Sequence, residues 1–197
     1  MSEMTLAFYD KNAEGFSDST KMCDMTAHYS MFLQYLKPGA RILDLGSGSG
    51  RDSKFFIGSG YNLEAVDGSL ELSKLASAYI GKTVRHLKFD DLDYSDAFDG
   101  VWACASLLHV PKDELPGIFI KIYDALKKDG ILYVSFKYGS FSGERNGRFF
   151  TDLMEQDLVE IIDSIKRFKI IHNEIRYDSR PEHSGARWLN AILRKIG

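Results

Sequence analysis

Arg41-Ile42-Leu43-Asp44-Leu45-Gly46-Ser47-Gly48-Ser49-Gly50-Arg51-Asp52, followed after an apolar stretch by Val66-Asp67-Gly68-Ser69, decides the fold of this chain. The apolar run to Leu45 reads as a buried strand that breaks into glycines, and a helix opens near Asp52. Val66-Asp67 reads as the end of a second strand, closed by an acid. Together they describe a strand–turn–helix–strand unit that holds a nucleoside ligand against bare backbone. Gly46, Gly48 and Gly50 alternate, so backbone can approach a ligand closely and take positive φ where the chain reverses. A dinucleotide turn needs a further glycine where Arg51 stands, which argues against a pyrophosphate ligand. Asp44 repels phosphates and suits a ligand that carries an amino group or a positive centre.

Outward from this unit the chain alternates between helical and extended patterns. Residues 4–14 and 20–36 read as helices. Strands are expected at 42–45, 62–66, 84–89, 98–104 and 131–137, with a helix capped by Ser69 and another over 111–126. Lys128-Asp129-Gly130 reads as a turn. A helix over 152–168 precedes two final strands at 170–177 and 187–193. The alternation predicts an α/β fold: a mostly parallel sheet of seven strands with helices on both faces. One domain is expected over 1–197, since no repeat or linker interrupts it. It divides into an N-terminal helical region to residue 38, a cofactor-binding half over 39–137 and a substrate-side half over 138–197.

Composition narrows the function. The chain has 197 residues, 44% of them hydrophobic, a formal net charge of −3 and a pI near 6.0. That balance suits a globular protein and disfavours a general nucleic-acid binder. Cys23 and Cys104 are the only cysteines. They suggest neither a disulfide framework nor a metal site. The first residues show no signal-peptide pattern and the longest apolar run, 101–110, is too short to span a bilayer, so a cytoplasmic enzyme is expected.

The glycine motif resembles that of the class I S-adenosylmethionine-dependent methyltransferases, whose first motif matches Leu43 to Gly50 at every position and whose second is an acid matching Asp67. The resemblance runs along nearly the whole chain. It is closest to the small bacterial methyltransferases of the group that includes tellurite-resistance-type enzymes. It implies a Rossmann-like fold with an antiparallel last strand and S-adenosylmethionine as cofactor. It also implies that Asp67 accepts hydrogen bonds from both ribose hydroxyls, for which a carboxylate with two acceptor oxygens is the right group. Asp44, Gly46, Ser47, Gly48, Gly50, Arg51, Gly68 and Ser69 would line the same groove. Asp90 or Asp91, with Leu92, matches the region that holds the adenine. Ala105 and Ser106 match the region beside the methionine part. Tyr9 lies in a Tyr-Asp pattern on a helix that covers the cofactor in many small-molecule methyltransferases, or on a helix packed at the sheet edge.

Ligands of such sheets bind at the carboxyl ends of the strands. His109 lies there and reads either as a general base or as a histidine that orders its loop through backbone hydrogen bonds. A glycine-broken segment after the fifth strand, 136–150, concentrates cations and aromatics. Lys137, Tyr138, Arg145 and Arg148 in it suit an anionic or carboxylate-bearing substrate. Arg180, in the stretch containing Asp178, Glu182 and His183, and Trp188 are expected at the same mouth.

Three functions follow. The first is methyl transfer to a small molecule, for example an anionic metabolite, by a monomer or homodimer. The second is methyl transfer to a macromolecule such as tRNA. The third is S-adenosylmethionine binding without catalysis. No metal is expected.

Overall fold

Apolar runs flanked by glycine build a sheet buried on both faces. In this computed structural model, which describes residues 2–178, 180 and 185–197, three helices come first: α1 (Glu3–Lys11), α2 (Ala13–Thr20) and α3 (Thr26–Leu33). Then follow β1 (Arg41–Leu45), α4 (Arg51–Gly58), β2 (Asn62–Asp67), α5 (Leu70–Ile80), β3 (Val84–His86) and β4 (Phe98–Ala103). The rest comprises α6 (Leu115–Ala125), β5 (Leu126–Lys137), β6 (Ser142–Arg145), β7 (Arg148–Thr151), α7 (Glu155–Ile165), β8 (Phe168–Tyr177) and β9 (Arg187–Lys195). The main sheet has seven strands in the order β3-β2-β1-β4-β5-β9-β8. β9 runs antiparallel to both β5 and β8, and the remaining pairs are parallel. The order reverses between β1 and β4, so their carboxyl ends open a crevice for a ligand.

Alternation along the strands feeds two core layers. Leu43, Leu45, Val101 and Ala103 pack with α6 and α7, whereas Ile42, Trp102 and Tyr133 pack with Phe32 and Phe56 of α3 and α4. Trp102 and Tyr133 stack at 3.9 Å between ring centroids and 11° between planes. The α3 layer presses closely on β4. A Cβ at Gly100 would lie 2.7 Å from Phe32 Cζ and 2.9 Å from Leu36 Cδ1.

Several expected boundaries move. The first helix ends at Lys11, because the Asn12 side chain donates to the Phe8 carbonyl at 2.7 Å and leaves the helical conformation; α2 then starts anew. The second expected helix, 20–36, shrinks to α3. β3 stops at His86, and Phe89–Asp91 form a 3-10 turn instead of strand. The turn at Lys128-Asp129-Gly130 becomes a bulge inside a longer β5: Phe98 pairs with Leu126 and Gly100 with Ile131, while Asp129 takes φ 61°. The segment after β5 contains a hairpin, β6–β7, turned by Asn146 (φ 52°) and Gly147 (φ 76°).

Gly100→Ala is expected to destabilise the fold by about 1–3 kcal/mol through overpacking. Gly117→Ala, on α6 with open space around the new methyl group, is expected to stabilise it by about 0.5–1 kcal/mol. Urea unfolding of the two variants checks both signs.

Candidate functional site

The turn after β1 is held open by its own backbone. Gly46 and Ser47 N–H groups donate to the Val66 carbonyl at 2.9 and 3.0 Å, tying the turn to β2. Gly46 has φ 81°, and a Cβ there would lie 2.5 Å from Ser106 Cβ. Gly50 has φ 78° and caps α4, with Ile80 Cγ2 3.0 Å from where its Cβ would be. Side chains are thus excluded on both steric and conformational grounds.

Asp67 closes β2 beside this turn. One carboxylate oxygen accepts the Gly48 N–H and the other the Ser69 N–H, each at 2.8 Å. Burial pushes its carboxyl up from the usual range, and the two backbone donors oppose the shift. Each oxygen keeps an acceptor site for a further donor. Ser69 caps α5 through Leu72 N at 3.1 Å, and its hydroxyl donates to Asp10 at 2.6 Å, which fastens α1 to the start of α5. Leu6 of α1 covers Gly68, with its Cδ2 2.9 Å from where a Cβ would stand.

Asp44 lies beneath the turn. It is buried and accepts the Ser53 hydroxyl at 2.6 Å. Burial, then the neighbouring Asp52 charge, pushes its carboxyl up, to about 8. Arg51 turns to Asp52, with Nε at 2.6 Å and Nη2 at 2.9 Å from its two oxygens.

A cavity of about 290 Å³ begins at the glycine turn and extends across the ends of β4, β5 and β9. Of the residues singled out in the sequence, it brings together Tyr9, Gly46, Ser47, Gly48, Arg51, Ala105, His109, Lys137, Arg145, Arg148, Arg180 and Trp188. Asp44, Gly50, Asp67, Gly68, Ser69 and Ser106 stand behind or beside this lining. Asp90 and Asp91 are exposed on the 3-10 turn, whereas Leu92 is buried in the core. Tyr138 lies outside the cavity lining, with its ring 4.8 Å from the Arg187 guanidinium. Glu182 and His183 lie outside the described residues.

His109 is engaged at both nitrogens. Nδ1 lies 2.7 Å from the Phe149 carbonyl and so carries the proton, which leaves Nε2 to accept the Tyr9 hydroxyl at 2.7 Å. Burial pushes it down to about 4, so it is neutral at pH 7. Arg148 Nη1 donates to the Tyr9 oxygen at 3.3 Å, and Phe149 N–H donates to Thr5 Oγ1 at 3.0 Å. α1, the loop after β4 and the hairpin are therefore joined over the cavity.

The cations at the other wall sit among aromatic rings. Arg145 pairs with Asp152 at 2.8 Å and lies 4.2 Å from the Phe141 ring. Arg180 pairs with Asp178 at 2.7 Å, and Trp188 Nε1 donates to the same carboxylate at 2.9 Å. Burial opposes the Asp178 charge, but those donors hold its carboxyl at about 2. Burial, then Arg145, pushes the Lys137 ammonium down. His28, Phe16 and Phe150 also line the cavity and were not singled out in the sequence. His28 and Phe16 lay inside ordinary helical patterns, and Phe150 needed the Asn146-Gly147 turn to be read as a hairpin.

The residues fit an adenosine linked to an amino acid. The turn leaves bare backbone, Asp67 has spare acceptor capacity, and the Ser47 and Ser106 hydroxyls are buried without a hydrogen-bond partner. The family described as "Methyltransferase domain" matches residues 18–167.

This chain belongs to that methyltransferase family. It is 24% identical over 176 residues to an uncharacterized methyltransferase of Staphylococcus carnosus strain TM300, covering 85% of this chain and 84% of that protein. Among solved structures it is similar to 1,6-didemethyltoxoflavin-N1-methyltransferase of Burkholderia thailandensis, seen with 1,6-didemethyltoxoflavin and S-adenosylhomocysteine. That match has a TM-score of 0.79 and 22% identity and covers 98% of this chain and 88% of that one. The DhpI–S-adenosylhomocysteine complex gives a TM-score of 0.74 at 19% identity, covering 98% and 96%. The fold is the Rossmann-like class I methyltransferase fold, and the cofactor of this enzyme is S-adenosylmethionine. No helix among the described residues is long and apolar enough to cross a membrane, and none of their His, Cys, Asp and Glu side chains form a group of three that could hold a metal.

Asp67→Ala is expected to weaken S-adenosylhomocysteine binding at least roughly tenfold, since charge-assisted hydrogen bonds are lost; calorimetric titration reads this directly. His109 makes a second, pH-dependent prediction. Its folded value lies below the ordinary 6.5, so an unfolded chain takes up a proton that the folded one refuses. The contribution is absent above pH 6.5 and destabilises the fold as pH falls toward about 4, by up to about 3 kcal/mol. His109→Gln is expected to flatten the pH dependence of stability over that window while leaving the slope above pH 7 unchanged.

Proposed function

We propose that this methyltransferase acts on a small molecule bearing an anionic group, bound in the cavity between the glycine turn and the hairpin. One observation carries the reading: Lys137 and Arg148 line the cavity, and among the described residues neither has a carboxylate within ion-pair distance. The concave cavity, about 290 Å³, suits a small acceptor. The small molecule seen in the Burkholderia thailandensis enzyme supports it as well.

When bound, S-adenosylmethionine supplies an electrophilic methyl group on a sulfonium. The chain's own residues bind and align. In our reading Asp67 accepts the ribose hydroxyls, and Gly46, Ser47, Gly48 and Gly50 let backbone meet the amino-acid end, with Arg51 facing its carboxylate. Gly68 and Ser69 shape the ribose edge. Asp90 or Asp91 with Leu92 borders the adenine, while Ala105 and Ser106 border the methionine chain. Asp44, buried and hydrogen-bonded by Ser53, supports the turn from below.

Tyr9 closes the cavity from α1, and His109 orients it by accepting its hydroxyl. With both nitrogens engaged, His109 serves positioning rather than abstraction of the acceptor's proton. Lys137, Arg145, Arg148 and Arg180 supply the field that attracts the acceptor, and Trp188 a flat wall. Holding the reactants in line can lower the barrier by roughly 7–11 kcal/mol.

Screening metabolite extracts with methyl-labelled cofactor tests the proposal; a labelled small molecule is expected, and labelled RNA or protein alone would overturn it. Arg148→Ala is expected to cut labelling roughly tenfold or more while changing S-adenosylhomocysteine affinity less than about twofold. Arg145→Ala is expected to cost less than Arg148→Ala, because Asp152 already engages it.

A further inference from the structure

The charges of the chamber do not cancel. Asp152 and Asp178 engage Arg145 and Arg180. The charges of Lys137 and Arg148 lie on ring faces instead. Lys137 Nζ is 5.5 Å from the Trp188 centroid and 5.6 Å from that of Phe150. The Arg148 guanidinium is 4.6 Å from the Phe8 centroid and 5.1 Å from Phe150, and its Nε is buried with no hydrogen-bond partner. A ring face is a weaker partner for a cation than a carboxylate. The pair is therefore poised for an anion, and the rings around it form flat walls.

Most groups that face this pair and could take a proton are already engaged. His109 gives Nδ1–H to Phe149 and accepts Tyr9 at Nε2. Tyr9 is held between His109 and Arg148, and burial pushes its hydroxyl up. Asp178 is engaged at both oxygens, and Asp52 accepts hydrogen bonds from Arg51, Tyr29 and Trp102. Asp152 binds Arg145 through Oδ2, and its Oδ1 is buried without a partner, but the residue stands behind the cavity lining. His28 also keeps a buried Nδ1 that lacks a partner. It lies on α3 in the field of Arg51, Asp52, Glu174 and Arg176 rather than of the Lys137–Arg148 pair.

We propose that the chamber takes a planar acceptor that is already ionised, an acidic aromatic hydroxyl or ring N–H, and that the ionised atom recognised by Lys137 and Arg148 is itself the nucleophile. This rests on the small-molecule reading above. A lone pair of the anion forms the new bond to the methyl carbon, the sulfur–carbon bond breaks with its electron pair going to sulfur, and no proton changes hands. The acceptor's negative charge and the sulfonium's positive charge vanish together. The product is neutral, so Lys137 and Arg148 cease to hold it.

The test uses 4-nitrophenol, whose anion absorbs visible light, and its methyl ether 4-nitroanisole, added to protein saturated with S-adenosylhomocysteine. At the pH where the free phenol is half ionised, the protein is expected to raise the phenolate absorbance, and 4-nitroanisole to bind roughly tenfold or more weakly. Lys137→Met and Arg148→Met are each expected to abolish the rise, and Lys74→Met, exposed on α5 and outside the cavity, to keep it. A fall in phenolate absorbance, equal affinity for the ether, or loss of the rise in Lys74→Met would overturn the proposal. Calorimetry with S-adenosylhomocysteine separates the two readings. Protein that binds it but not the phenolate overturns this inference and leaves the small-molecule reading standing, whereas protein that binds neither fails at the cofactor site and overturns both.

Discussion

Asp52 is 6% exposed yet accepts four hydrogen bonds: two from Arg51, at 2.6 and 2.9 Å, one from the Tyr29 hydroxyl at 2.6 Å and one from Trp102 Nε1 at 2.8 Å. Burial works against its charge, but these donors outweigh it and keep the carboxyl below the usual range. An uncompensated charge at this depth would be strongly unfavourable. The four bonds join α3, α4 and β4, three elements with no covalent reason to meet at this angle. They also hold the Arg51 guanidinium at the cavity wall. The glycine turn lies directly before this carboxylate, so its shape depends on an ion pair formed one residue later.

The other wall is set by a weaker and more local network. Thr5, Phe8 and Tyr9 of α1 meet Arg148, Phe149 and the loop carrying His109 through two hydrogen bonds to Tyr9 and one to Thr5. Nothing apolar on the scale of the sheet core supports this contact. The cofactor half thus rests on a deep core, while the roof over it rests on a few polar contacts and stacked rings, the kind of region that opens at low cost.

Much of this was legible in the sequence because the signals were local. The three glycines and the acids at Asp44 and Asp67 fixed the turn and the second strand end, and the cations of 137–148 marked the chamber. Signals that needed a partner distant in sequence were not legible. Arg51 read as a missing glycine and a groove residue, but its partnership with a carboxylate that also collects Tyr29 and Trp102 depends on tertiary packing and was not legible. Asp44 read as a ligand-facing charge; its burial and its hydrogen bond from Ser53 depend on packing that the motif alone does not show. Asn146-Gly147 is the turn most typical of hairpins, yet the flanking residues lack the apolar alternation that would have declared two strands. Phe150 packs away from the hairpin, into the core cluster of the main sheet and the cavity wall.

The hairpin leaves and rejoins the sheet at one place. Tyr138 and Leu153 form a parallel bridge, and Leu153 N–H donates to the Lys137 carbonyl at 3.0 Å, so the ends of the excursion lie side by side. An insertion closed on itself can lengthen, shorten or be exchanged without altering the register of β5 with β9. Arg145, Arg148 and Phe150 belong to that insertion, whereas the glycine turn and Asp67 belong to the sheet. On the proposed reading, part of the acceptor wall therefore belongs to an excursion that can change while the sheet keeps its register, whereas Lys137 and Trp188 stay on β5 and β9.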